Sequence, residues 1–214
     1  LQEIEDIYRP YRPKRRTRAM IAREKGLDPL AAAILSGLKP DDVLEKDALA
    51  YIDPEKELQS AEDVLQGARD IIAEEVSDNA EFRKEIRDMF RRYGLLESKT
   101  KTEEDTVYRM YYDFKEPVSS LASHRILAVN RGEKEEVLKV QVTIAEDKVL
   151  ALLFARYGVE KGGRKHLTMA IEDAWKRLIY PSVEREIRSE LTEKAEEQAM
   201  VVFRENLKNL LMQP

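Results

Sequence analysis

The residues that could do chemistry by type and spacing lie first in a basic run near the start of the chain. Between Arg9 and Lys25 stand Arg9, Arg12, Lys14, Arg15, Arg16, Arg18, Arg23 and Lys25, against one acid, Glu24. Pro10 and Pro13 favour an extended backbone that exposes these side chains. Tyr8 and Tyr11 flank the first arginines. Cations on an extended segment, with rings that can stack on bases, suit contact with a nucleic-acid backbone. The same residues allow a structural reading. The tyrosines and prolines would then pack the segment onto a domain, and the arginines would pair with acids of neighbouring helices. At this level both readings stand. The candidate contact residues are Arg9, Arg12, Lys14, Arg15, Arg16 and Arg18.

Other chemistry is thinner. GVEKGGRKH (158–166) is glycine-rich and basic and opens a helix. Backbone N–H groups at such a start can hold a phosphate. The spacing is not that of a P-loop, GxxxxGK[ST], and a flexible loop leading into a helix is the plainer reading. His124 and His166 lie far apart with no ligand-spaced companion, so each reads as a helix-start or core histidine. There is no cysteine and no GxSxG, and adjacent acids such as Glu103-Glu104 and Glu135-Glu136 are too common to mark a catalytic pair. The chain is expected to be no enzyme and to need no cofactor or metal.

The elements that must position these residues are helical. Of the 214 residues, 43% are hydrophobic and 37% charged, with only 8 glycines. That balance predicts helices with solvated outer faces around an apolar core. The net charge of −5 restricts any nucleic-acid contact to a local patch. Absence of cysteine suits a reducing cytoplasm. No apolar run approaches the roughly 20 residues of a membrane span, and no signal peptide is visible. Both ends read as cuts in a longer protein.

Along the chain, GLDPLAAAILSGLKPDDVL predicts short helices, with Asp28-Pro29 as a start and Gly37 and Pro40 as punctuation. Asp53-Pro54 repeats the start signal. Such helices can form a helix-turn-helix unit, though bundles use the same arrangement. Ala61, Val64, Leu65, Ala68, Ile72 and Val76 form one helical stripe. Phe82, Ile86, Met89 and Phe90 form the next, with Asp78 or Asn79 as cap and Gly94 as stop. The stretch 97–105 is expected to be a loop, leading to a helix around TVYRMYYDF whose tyrosines pack rather than stack on bases. Leu138, Val140, Val142 and Ile144 alternate with polar residues and predict a strand. ILAVN (126–130) could pair with it, but a helix from Ser123 to Arg131 is preferred. Leu167, Ala170, Ile171, Ala174, Trp175 and Leu178 share a face, and Pro181 ends that helix or begins the next. A long helix follows with the stripe Val183, Ile187, Leu191, Ala195, Ala199, Val202, Asn206 and Leu210. The expected fold is all-α with at most a small β element. Residues 1–180 would form one helical region and 181–214 a helix leading out of it.

Four stretches then carry a family resemblance. They are YRPYRPKRRTRAMIAREKGLDPLA, SHRILAVNRGEKEEVL, AIEDAWKRLIYPSVEREIR and EKAEEQAMVVFRENLKNLLMQP. Together they resemble the Tex family of bacterial transcription accessory proteins, relatives of a eukaryotic elongation factor. The resemblance implies the helical N-terminal region of a multidomain, intracellular, nucleic-acid-binding protein. An RNase H-like domain, helix-hairpin-helix modules and an S1 domain would follow. It implies a scaffold that positions those domains, with RNA or DNA as partner. RNA polymerase or another factor is the alternative partner, and no membrane is implied.

Overall fold

The computed structural model describes Ile4, Tyr8, residues 16–160 and residues 163–212. It contains helices α1 (Arg18–Glu24), α2 (Asp28–Ser36), α3 (Asp41–Ala48), α4 (Ala61–Asp78) and α5 (Ala80–Tyr93). Strands β1 (Leu95–Thr100) and β2 (Asp113–Pro117), helix α6 (Ser123–Lys134) and strand β3 (Leu138–Thr143) follow. Helices α7 (Glu146–Arg156), α8 (Lys165–Asp173) and α9 (Tyr180–Leu211) complete it, with a π-helical turn, Ala174–Ile179, between α8 and α9. The chain divides into two compact units. One comprises Leu1–Glu85 and Glu146–Pro181, the other Ile86–Ala145 and Ser182–Pro214.

In the first unit α4 is the central helix. Its stripe Val64, Leu65, Ala68, Ile72 and Val76 is buried as the spacing predicts. Around it lie Ala19 and Ala22 of α1, Leu30 and Ile34 of α2, Leu44 of α3, and Leu167, Ala170 and Ile171 of α8, all buried. A capping box starts α4. Ser60 Oγ accepts from Asp63 N–H, and Asp63 accepts from Ser60 N–H. Gly67 lets α4 be approached closely, since a Cβ there would stand 2.4 Å from Leu27 Cδ1. Pro29 sits in the first turn of α2, and Gly37 ends that helix at φ 65°. Asp28 is the first helical residue, with Leu27 at the cap position. Asp53-Pro54 opens only a single 3₁₀ turn, Pro54–Lys56.

The second unit holds a three-stranded antiparallel sheet of order β2-β1-β3. The fold is thus mostly helical, and the small β element the sequence allowed is this three-stranded sheet. The expected loop at 97–105 is where sequence and structure differ most. Its first residues belong to β1, the central strand, paired with Lys115 and Gln141 at Glu97. Polar residues occupy this strand because its outer face is solvated. On the inner face Leu96 is buried, and buried Ser98 donates through Oγ to the Tyr111 carbonyl at 2.5 Å. The helix expected around TVYRMYYDF is a 3₁₀ turn at Arg109–Tyr111 running into β2. Its tyrosines pack, with Tyr108 and Tyr111 buried. The strand at 138–143 and the helix from Ser123 are both present, and the strand pairs with β1 rather than with 126–130.

Asn79 Oδ1 accepts from Glu81 and Phe82 N–H, capping α5 as expected. Pro181 is the second residue of α9 and so begins that helix, though with no break from the turn before it. It has no N–H to donate and its ring crowds the carbonyl one turn back. The wide π turn just before it, closed by Tyr180 N–H to the Trp175 carbonyl, carries the helix past this point. In α9 the expected stripe is buried at Val183, Ile187 and Ala195, while Leu191 is half-buried. Beyond Ala195 the same stripe, Ala199, Val202, Asn206 and Leu210, is exposed.

Candidate nucleic-acid interface

Of the six candidate contact residues, Arg9, Arg12, Lys14 and Arg15 lie outside the described residues. Arg16 and Arg18 are exposed. Thr17 caps α1 by accepting from Met20 N–H at 3.1 Å, which fixes Arg18 as the first helical residue. The Arg16 guanidinium pairs with Glu24 at 2.7 Å, with both side chains more than half exposed. Such a pair is weak and can open to a stronger anion. Arg18 stands at the rim of a cavity of about 250 Å³ shared with Ile21, Lys25, Leu58 and Asp70. Burial raises the Asp70 carboxyl above its ordinary range, against Arg177, which donates to it at 2.9 Å.

The other cations of the run are committed to the protein. Arg23 pairs with Glu74 at 3.2 Å and Asp28 at 3.3 Å, and also reaches Glu75. Lys25 lies 3.5 Å from Glu57. The two readings of the basic run thus divide along it. Arg23 behaves structurally, whereas Arg16 and Arg18 face solvent.

The glycine-rich stretch also changes meaning. The α8 start that could have held a phosphate is occupied by a carboxylate of the protein itself. Lys165 N–H donates to Asp41 Oδ2 at 2.8 Å, and Lys165 Nζ donates to Glu45 at 2.9 Å. Arg164 turns back to donate to the Ile34 and Leu35 carbonyls, the first at 2.5 Å and the second at 2.8 Å. It thereby satisfies the C-terminal end of α2. His166, fully buried, is a core residue. Arg69 Nη1 donates to its Nδ1 at 3.2 Å, and its Nε2 lies 3.5 Å from Glu45 Oε1. Burial pushes the imidazole below its ordinary pKa. Arg69 and Lys165 add to that, while Asp41 and Glu45 oppose it. His124 is exposed at the start of α6. Among the described residues no group of three or more His, Asp or Glu is placed to hold a metal.

A second set of cations, not among the sequence candidates, comes into view because the first residues of 97–105 form part of β1 and not a loop. Lys99 of β1 lies directly opposite Lys139 of β3 on the solvent side of the sheet. The signal was the alternation around Leu96 and Ser98, hidden by a serine at an inward position. On the same face Glu97 receives Lys115 Nζ at 2.6 Å and Thr143 Oγ1 at 3.0 Å. The Lys115 hydrogen bond foremost, with Thr143 and Gln141 adding to it, holds the Glu97 carboxyl below its ordinary range.

Comparison with known proteins places the chain. A family model described as Tex central region-like matches residues 39–203. The chain belongs to the Tex family. Over its whole length this Tex-family chain is 47% identical to the uncharacterized protein YdcI of Bacillus subtilis, covering 30% of that protein. It is 35% identical to the transcriptional accessory protein Tex of Neisseria gonorrhoeae, over 98% of the chain and 28% of that protein. It is 31% identical to human S1 RNA-binding domain-containing protein 1, over 99% of the chain and 23% of that protein. The Tex-family chain thus spans less than a third of the length of these relatives. None of its described helices is long and apolar enough to cross a membrane.

Proposed function

We propose that this chain is a helical scaffold within a transcription accessory, nucleic-acid-binding protein of the Tex family. The observation that carries the reading is the match along the whole chain to relatives named for transcription and for an RNA-binding S1 domain. In that reading the chain positions nucleic-acid-binding domains supplied elsewhere in the longer protein and works in the cytoplasm. Helix α9 leads toward the next domain. Support comes from its last turns, where Met200, Phe203, Leu207, Leu210 and Leu211 are exposed apolar side chains on one long helix. Contiguous apolar surface of this kind marks a contact to be made. The basic segment, through Arg9, Arg12, Lys14, Arg15, Arg16 and Arg18, adds salt-dependent phosphate contacts.

The role is non-catalytic. Its buried ionisable groups serve the fold: Asp70 is held by Arg177, Glu74 by Arg23, and Arg69 by Glu62 and His166.

The test is fluorescence anisotropy of labelled RNA and DNA oligonucleotides with this chain at 50 and 200 mM salt. An Arg15→Glu, Arg16→Glu, Arg18→Glu variant, shown by circular dichroism to be folded, is measured beside it. With about five phosphates neutralised on duplex DNA, affinity falls several hundred-fold over that salt range. Salt-independent affinity, or equal binding by the variant, removes the basic segment from the grip. The exposed apolar end of α9 equally suits a protein partner. Recovery of RNA polymerase with the chain, in the absence of nucleic acid, would favour that second reading.

A further inference from the structure

The solvent face of the sheet carries an arrangement that folding alone does not favour. Lys99 and Lys139 are cross-strand neighbours, and both are exposed. Lys101 N–H donates to the Val137 carbonyl at 2.8 Å, so the pairing continues past the end of β1. Alternation of the ladder makes Lys99 and Lys139 a hydrogen-bonded pair, with Cα atoms about 5.5 Å apart. Like charges placed opposite each other destabilise a sheet. Lys101, two residues beyond Lys99, and Lys115, on the far strand, extend the cationic surface. Two acids share the face. Glu97 is already engaged by Lys115, Thr143 and Gln141, and Asp113 lies opposite Lys99. Among the described residues neither Lys99 nor Lys139 forms an ion pair.

The β3 edge is closed by α9. Glu184 accepts from Val142 N–H at 3.1 Å, and Arg188 donates to the Val140 carbonyl at 3.1 Å. Lys139 lies just beyond this closed stretch, next to Val140, and its side chain is exposed. An antiparallel face with paired exposed lysines and no aromatic side chain offers charge without base stacking. That fits a ligand read through its phosphates rather than its bases.

We propose that the outer face of this sheet, through Lys99 and Lys139 with Lys101 beside them, is a contact surface for the phosphodiester backbone of a nucleic acid. A bound phosphate between the two ammonium groups replaces their repulsion with two charge-assisted contacts. The inference rests on the nucleic-acid reading above and adds a second surface, separate from the basic N-terminal segment.

The experiment compares four forms of this chain by anisotropy with a labelled twelve-nucleotide oligouridylate across a salt series. They are the unmodified chain, Lys99→Gln with Lys139→Gln, the triple arginine variant described above, and a charge-matched control, Lys46→Gln with Lys194→Gln. Lys46 and Lys194 are exposed and belong to helices, not to the sheet. Loss of two phosphate contacts lowers the slope of log affinity against log salt by about 1.4 for a single strand. The sheet variant is expected to show that drop with little change in melting temperature, because it relieves the repulsion from Lys139 and also removes the attraction of Asp113 across from Lys99. A structural role for the lysines would lower the melting temperature instead.

A sheet variant that follows the charge-matched control in slope and affinity overturns the inference. If binding is lost only in the arginine variant, the nucleic-acid reading stands and the sheet surface fails. If the unmodified chain does not bind the oligonucleotide, the sheet surface and the basic segment both fall as phosphate contacts, while the scaffold reading stands. Lysine-dependent binding of a polyglutamate peptide without binding of the oligonucleotide would assign the face to an acidic protein and overturn the phosphodiester proposal.

Discussion

At the residue scale, His166 shows how a buried group reports on the fold. It is fully buried, accepts from Arg69, and is held below the ordinary imidazole pKa chiefly by burial. The unfolded chain titrates it near pH 6.5. Between that value and the lower folded value the unfolded state binds more protons than the native state, so stability rises with pH. Stability is therefore lost as pH falls from 7 through about 6.5 and on toward the folded pKa. Urea midpoints measured from pH 7.5 to 5.5 should decline, and a His166→Gln variant should show a flatter profile over the same range. An unchanged slope in the variant would place the titration elsewhere. The candidate binding residues are less legible at this scale. Sequence proximity grouped Arg16, Arg18 and Arg23, yet Arg23 is taken up by Glu74 and Asp28 while the other two face solvent. Partners 51 residues apart in sequence cannot be seen from local pattern.

At the element scale, the sheet depends on α9 as much as on its own ladder. An edge strand with unpaired backbone groups invites association with other chains. Here Arg188 fixes the β3 edge. It donates to Val140 carbonyl, to Asn130 Oδ1 at 3.1 Å and to Glu133 Oε2 at 2.5 Å. Its side chain is mostly buried. Replacing it by alanine leaves a carbonyl, an amide and a carboxylate short of a donor, and should cost about 2 kcal/mol, as hydrogen bonds to charged groups do. Chemical denaturation checks the loss, and light scattering should show more self-association in the variant. Gly132 makes the same point about packing. A Cβ at this position of α6 would stand 2.6 Å from Leu138 Cδ1 and 3.1 Å from Tyr108 Cδ1, so the helix lies tight against β3 and the 3₁₀ turn. Long amphipathic helices were legible because their period repeats over many turns. β1 was not, because six residues with Ser98 inward leave almost no apolar alternation.

At the scale of the whole molecule, the long helix is built in two parts with different roles. Up to Ala195 its inward residues enter a core. After it Met200, Val201, Val202, Phe203, Leu207, Leu210, Leu211 and Met212 are all exposed. Ending the chain after Gln198 should change thermal stability by no more than about 0.5 kcal/mol, as expected for residues outside the core. It should also raise solubility by removing an apolar surface. A large fall in melting temperature would show that these turns support the fold after all. Composition, helical period, capping residues and four long motifs spread along the chain already determined a mostly helical fold and membership of the Tex family. Those properties are local or repeat along the chain, so the linear order of residues carries them. Only the tertiary structure decided that Asp41 fills the α8 start, that Arg23 is spent on Glu74, and that Lys99 faces Lys139. Each depends on which distant segments meet, and that is set by burial of the shared core rather than by the identity of the charged residues themselves.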